Sequence, residues 1–128
     1  MQSFKELELN VIRWAEARKI IPNSTPVAQT RKTLEEAGEL LEAAAGLRTI
    51  SRILEKDSDI EFISSIGLVQ AELREEFKDA VGDVLVTLIN ACALADVDLT
   101  ECLSLAYDEI KDRKGTLLPS GIFQKDEA

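Results

Sequence analysis

Residues 72 to 95, ELREEFKDAVGDVLVTLINACALA, decide how the rest of the chain reads. At about 100° per residue, Glu72, Glu76, Asp79, Asp83 and Asn90 fall within roughly 60° of one another on a helix. The second half is apolar nearly all round, through Val84, Leu85, Val86, Leu88, Ile89, Ala91, Ala93 and Leu94, which predicts a buried helix. An isolated carboxylate in an apolar interior must neutralise or pair. Asp83 therefore requires a cation, and a metal ion answers the whole acidic stripe at once.

The chain of 128 residues suits a single domain, 1–128, with a real core. It has no apolar run near the ~18 residues of a membrane span and no signal-like start, so the expectation is a soluble, untargeted, cytoplasmic protein with no membrane partner. Cys92 and Cys102 sit in apolar helical contexts without metal-ligand spacing and read as core thiols. A net charge of −9 argues against a nucleic-acid surface, yet leaves room for a nucleotide bound through metal ions. Histidine is absent, which removes Ser-His and Cys-His nucleophile pairs, histidine bases, His-rich zinc sites and the Glu-x-x-His di-iron pattern. Any chemistry must run on carboxylates, Lys, Arg and hydroxyls.

Outward from the central stretch, Phe4, Leu7, Val11, Trp14, Ala15 and Arg18 mark an amphipathic first helix over residues 3 to 20. Trp14, the only tryptophan, either anchors that helix in the core or stacks on a ligand. Thr25 then caps a helix opening at Pro26 and stopping near Gly46. Its apolar face, Leu34, Ala37, Leu40, Leu41, Ala44 and Leu47, is centred about 90° from Glu36, with Glu36 at the edge and Glu39 and Lys32 beside it; Glu35 and Glu42 lie farther towards solvent.

Residues 47 to 71 read poorly: a short helix over 47 to 54, a polar turn over 56 to 59 with Ser58 or Asp59 as cap, and Gly67 as a candidate bend. Asp98 and Glu101 resemble a capping box for a last helix whose apolar stripe is Leu99, Leu103, Ala106 and Ile110. It ends in Lys111, Arg113 and Lys114 before Gly115, a cluster that suits either the helix dipole or an anion. The remainder reads as an extended tail tacked down by Ile122 and Phe123. No stretch alternates convincingly with period two, so the fold class is all-α, a bundle of about four or five helices.

Pairing Glu36 and Glu39 with Glu76, Asp79 and Asp83 makes an oxygen-only site suited to Mg²⁺ or Mn²⁺. Carboxylates attract cations, which in turn bridge phosphate oxygens and activate water, so metal-assisted phosphoanhydride hydrolysis is the chemistry such a site favours. The plainer alternative is a set of solvated acidic faces, since ExxE by itself is common. Asp83 within an apolar segment is what that alternative does not cover.

Gln29-x-x-Lys32-x-x-Glu35-Glu36-x-x-Glu39-Leu40, then Gly82-Asp83-Val84-Leu85-Val86 with Asn90, then Tyr107-x-x-Ile110-Lys111-x-Arg113-Lys114-Gly115, together resemble the MazG-like, all-α nucleoside triphosphate pyrophosphohydrolases, in particular small members from bacteria and phages. The likeness spans nearly the whole chain. It implies hydrolysis of an NTP or dNTP between the α and β phosphates, giving a monophosphate and pyrophosphate, with Mg²⁺ held by ExxE and ExxD carboxylates.

By motif, Glu36 and Glu39 take the first pair and Asp83 matches the later Asp. The family's Glu three residues earlier falls on Ala80, so Asp79 substitutes, with Glu76 as a further ligand or supporting acid. Glu35 or Glu39 would accept the proton of the attacking water, and Lys32, Lys111, Arg113 and Lys114 would hold phosphate oxygens. Asn90 would orient a ligand or the sugar; Trp14, Asn23, Ser24 and Gln29 are candidates for base and sugar contacts. The resemblance also implies a homodimer or homotetramer with shared active sites. A non-catalytic helical oligomer that senses nucleotides is the alternative, favoured by the loss of an acid at Ala80.

Overall fold

The computed structural model describes residues 1–56 and 60–127, with the side chains of 60–64 left aside. The described chain is mostly helical: α1 spans Phe4–Ala17, α2 Ile20–Asn23, α3 Pro26–Lys56, α4 Ile60–Leu94 and α5 Leu99–Ile110. It divides into two compact units, Met1–Asp96 and Val97–Ala128. Among the described residues no single helix is long and apolar enough to cross a membrane.

In the first unit, Ser3 starts α1 by accepting a hydrogen bond from the Glu6 N–H at 3.2 Å. Thr25 starts α3 as expected: its hydroxyl accepts from the Ala28 N–H at 3.0 Å, and Pro26 is the first helical residue, where a missing N–H is harmless. The long helices α3 and α4 form the frame, and α1 and α2 pack on α4. Thr33 meets Thr87, Gly46 meets Leu73 and Ser51 meets Gln70, so residue numbers rise along α3 as they fall along α4 and the pair is antiparallel.

Helix α3 does not stop at Gly46. The helix runs ten residues further to Lys56, absorbing the expected short helix over 47 to 54. Gly46 serves packing instead of termination: a Cβ there would stand 3.3 Å from the Leu73 Cδ2, so the missing side chain lets α4 come close. Helix α4 likewise continues through Gly67. The polar turn with Ser58 and Asp59 lies outside the described residues.

The buried face of α3 is also rotated from its apolar centre. Glu36 and Ala43 are the buried positions, whereas Leu34 and Leu41 are 72% and 70% exposed. Nor is the second half of α4 sealed: Ala80, Thr87, Ile89 and Asn90 are buried, but Leu85 is exposed and Asp83 only partly covered.

In the second unit, Asp98 caps α5 by accepting from the Thr100 N–H at 2.9 Å, a cap one residue short of the capping-box geometry. Cys102 is exposed on α5, not a core thiol, while Cys92 on α4 is half-buried. The expected extended tail is a β-hairpin: β1, Gly115–Leu117, pairs antiparallel with β2, Phe123–Lys125, with Thr116 opposite Gln124. Gly121, at φ 86°, closes the turn through its N–H to the Leu118 carbonyl, a conformation that suits glycine. Strands this short are below the length at which alternation shows in a sequence.

Candidate metal centre

Glu36 and Glu39 lie one turn apart on α3, and the antiparallel register brings Asp83 of α4 up to them. Carboxylate oxygens of Glu36, Glu39 and Asp83 all lie within 4.8 Å of one another. Glu36 is the buried member; Lys32 approaches one of its oxygens at 3.5 Å, while Oε2 is out of solvent and has no hydrogen-bond partner among the described residues. A buried unpartnered acceptor is costly.

The electrostatics tell the same story. The Glu39 carboxyl is held above its ordinary value by a hydrogen bond shared with Glu36 and by that residue's negative field. Asp83 is raised too, first by loss of solvent and then by the charges of Asp79 and Glu36. Glu39 and Asp83 therefore hold their protons more tightly than free carboxyls do. A divalent cation would offset the mutual repulsion and engage the orphaned Oε2, and an all-oxygen donor set of this kind could hold a hard ion such as Mg²⁺ or Mn²⁺.

Two hollows meet at the cluster. A groove of about 290 Å³ is lined by Glu39, Glu42, Glu76, Asp79 and Asp83, with the small residues Ala43 and Ala80 in its wall. Glu76 and Asp79 therefore share a groove with Glu39 and Asp83 without belonging to the three-carboxylate group. A second recess of about 400 Å³ shares Glu36 and Asp83 and is walled by Trp14, Ile20, Ala28, Gln29, Lys32, Val86, Thr87 and Asn90. Asn90 is 2% exposed, and its Oδ1 has no partner. Trp14, 44% exposed, lines this recess and a neighbouring one that also touches Asp83, with the Arg18 guanidinium 5.4 Å from its ring centre.

The other candidates distribute as follows. Lys32 makes its shorter ion pair to Glu35, at 3.1 Å, and Glu35 is exposed and not among the three clustered carboxylates. Gln29 lines the recess and donates to the Ser24 hydroxyl at 3.1 Å, so Ser24 positions Gln29. The Asn23 amide is spent on the Lys19 carbonyl at 2.9 Å. Lys111, Arg113 and Lys114 belong to the second unit: Lys111 pairs with Asp108 at 3.4 Å, and the Lys114 carbonyl accepts from Asp126 in the hairpin.

Glu42 is exposed, as expected, and at the same time lines the acidic groove, while Thr87 was not singled out at all. The signal for Thr87 was a hydroxyl one turn beyond Asp83 in an apolar run; for Glu42 there was none short of the helix register. No family model, curated protein or solved structure matches this chain.

Proposed function

We propose that the chain is a divalent-metal-dependent nucleoside triphosphate pyrophosphohydrolase of the MazG-like all-α kind, releasing pyrophosphate from an NTP or, by preference, a dNTP. The observation that carries this reading is the junction of the carboxylate cluster with the largely apolar recess through Glu36 and Asp83. A triphosphate needs cations beside a place for an uncharged base and sugar, and this junction sets a carboxylate cluster suited to cations against a recess walled by α1 to α4.

Glu36, Glu39 and Asp83 would hold the metal, with Asp79 and Glu76 in the adjoining groove able to hold a second ion or order its water shell. Bound Mg²⁺ or Mn²⁺ supplies charge neutralisation at phosphoryl oxygens and lowers the pKa of water. Glu39, which belongs to the cluster and also lines the open acidic groove, is the group placed to accept the proton of the attacking water. The water oxygen bonds to the α phosphorus, the bridging bond to the β phosphate breaks, and pyrophosphate leaves. Lys32 stands where Glu36 meets the recess and offsets phosphate charge. Asn90, with its free Oδ1, and Trp14 fix the nucleoside.

The test is to incubate the protein with each common NTP and dNTP, with Mg²⁺ or Mn²⁺ and with chelator, and to separate the products. Monophosphate and pyrophosphate from a subset of substrates, abolished by chelator and lowered at least about 100-fold by Glu39→Gln, are expected. Nucleotide binding without turnover in either metal would favour a sensing module instead, and would point to Ala80, where the related enzymes carry an acid.

A further inference from the structure

A nucleoside triphosphate has one organic end, yet two recesses of small-ligand size reach Asp83. The one without Asn90 also measures about 400 Å³, and it shares Trp14, Asp83 and Val86 with the other. Leu7, Asn10 and Val11, which stand at helical spacing with Trp14 on α1, make the rest of its wall together with Gln2. All of these residues belong to the first unit, Met1–Asp96. The only charged group in this wall is Asp83, an anion, so a phosphate chain has nothing to hold it there. Aliphatic side chains, an indole and two amides suit instead a flat, uncharged group with hydrogen-bonding edges, such as a second nucleobase.

We propose that the chain hydrolyses dinucleoside polyphosphates, with one nucleoside in each recess and the phosphate chain between them at the carboxylate cluster. This rests on the hydrolase reading of the cluster and adds to it a class of substrate with two organic ends. Both recesses meet at Asp83, one of the three clustered carboxylates, so phosphates bound there through cations can send one end into each. A triphosphate fills one recess and leaves the other to water. A second base displaces that water from Leu7, Val11 and Val86, which favours binding. Water bonds through its oxygen to the phosphorus next to one nucleoside, and the bridging P–O bond breaks with its electron pair on the departing oxygen. The proton of the water goes to Glu39. A dinucleoside tetraphosphate thus gives a nucleoside monophosphate and a nucleoside triphosphate.

The experiment sets each common nucleoside triphosphate against the symmetrical dinucleoside tetraphosphate of the same nucleoside. Binding is read by titration calorimetry in Ca²⁺, and cleavage by product separation in Mg²⁺ and in Mn²⁺. For the nucleoside the site prefers, the tetraphosphate is expected to bind at least about tenfold tighter than the triphosphate, the share of a second base against an indole and an aliphatic wall. Early in its cleavage, monophosphate and triphosphate should appear in equal amounts. Asn10→Phe puts a ring into the second recess from an exposed position. It should remove the tenfold advantage and leave triphosphate binding and turnover unchanged. Equal affinity for the two nucleotides, or an uncleaved tetraphosphate beside a cleaved triphosphate, overturns the proposal and leaves the hydrolase reading standing. So does an Asn10→Phe protein that loses triphosphate as much as tetraphosphate, since the single nucleoside then occupies this recess. If neither nucleotide binds or is cleaved, the hydrolase reading fails and the proposal with it. Should circular dichroism show Asn10→Phe unfolded, the wild-type comparison decides alone.

Discussion

The hydroxyls of Thr33 and Thr87 meet at 2.8 Å across the seam between α3 and α4, one turn from Glu36 on one helix and from Asp83 on the other. Carbonyls of Gln29 and Val84 complete the chain of hydrogen bonds, so both hydroxyls find partners whichever of the two donates to the other. The link fixes the register that brings the carboxylates together. Thr87→Val keeps the shape and removes it, and should cost about 1 kcal/mol in denaturant unfolding. The midpoint of a Mn²⁺ titration should rise as well; an unchanged midpoint would mean that packing alone holds the register.

Asp83 and Glu39 set a pH dependence whose sign follows from the direction of their shifts. Both folded-state carboxyls lie above their ordinary values, 3.8 for Asp and 4.5 for Glu. The folded protein therefore binds these protons more tightly than the unfolded chain. Their contribution to stability is complete below the ordinary values and is lost as pH rises through the raised ones. In chelator, Asp83→Asn should match wild type at the acid end and gain stability over it as pH climbs towards neutrality. In saturating Mg²⁺ the order should reverse, because the variant forfeits the stabilisation by bound metal. Unfolding curves across the pH range, with and without metal, read both; a difference independent of pH would remove the electrostatic account of the cluster.

The cluster was legible because Glu36 and Glu39 share a face through local helical spacing, and because Asp83 stood out in an apolar run. The rotation of α3 was not. Its leucines and its buried residues occupy different faces, and periodicity averages them into one stripe that points between the two. Leu34 and Leu41 thus looked like core while Glu36 and Ala43 are the residues that α4 covers. Gly46 carried a stop signal in isolation, and only Leu73, far along the sequence, shows that the glycine serves helix contact. Glu42 depended in the same way on where α4 lies, which local pattern does not encode.

Two glycines should respond in opposite directions. At Gly46, valine would drive its methyl groups into Leu73, whose Cδ2 already stands 3.3 Å from an ideal Cβ, and overpacking there should cost about 1–2 kcal/mol. At Gly67 nothing lies within 4 Å among the described residues, and alanine should stabilise α4 by about 0.5–1 kcal/mol. Thermal or denaturant unfolding of both variants checks the assignment. A stabilised Gly46→Val would mean that the two helices stand farther apart than this packing requires.

Asn90 offers a separation between stability and binding. Its Oδ1 is buried without a partner, so truncation to alanine removes an unsatisfied group and should leave the free protein as stable as before or more so. If that oxygen is kept for the nucleoside, the same change should weaken nucleotide binding about tenfold, the equivalent of one hydrogen bond. Trp14 is the natural reporter: it is the only tryptophan, and it lines the recess with Asn90. Titrating Mg²⁺-nucleotide should alter its emission, with the midpoint displaced in Asn90→Ala while the Mg²⁺ affinity, which the proposed reading assigns to Glu36, Glu39 and Asp83, stays the same. Equal nucleotide affinity in the two proteins would take the nucleoside out of this recess and leave Asn90 as an unexplained cost to the fold.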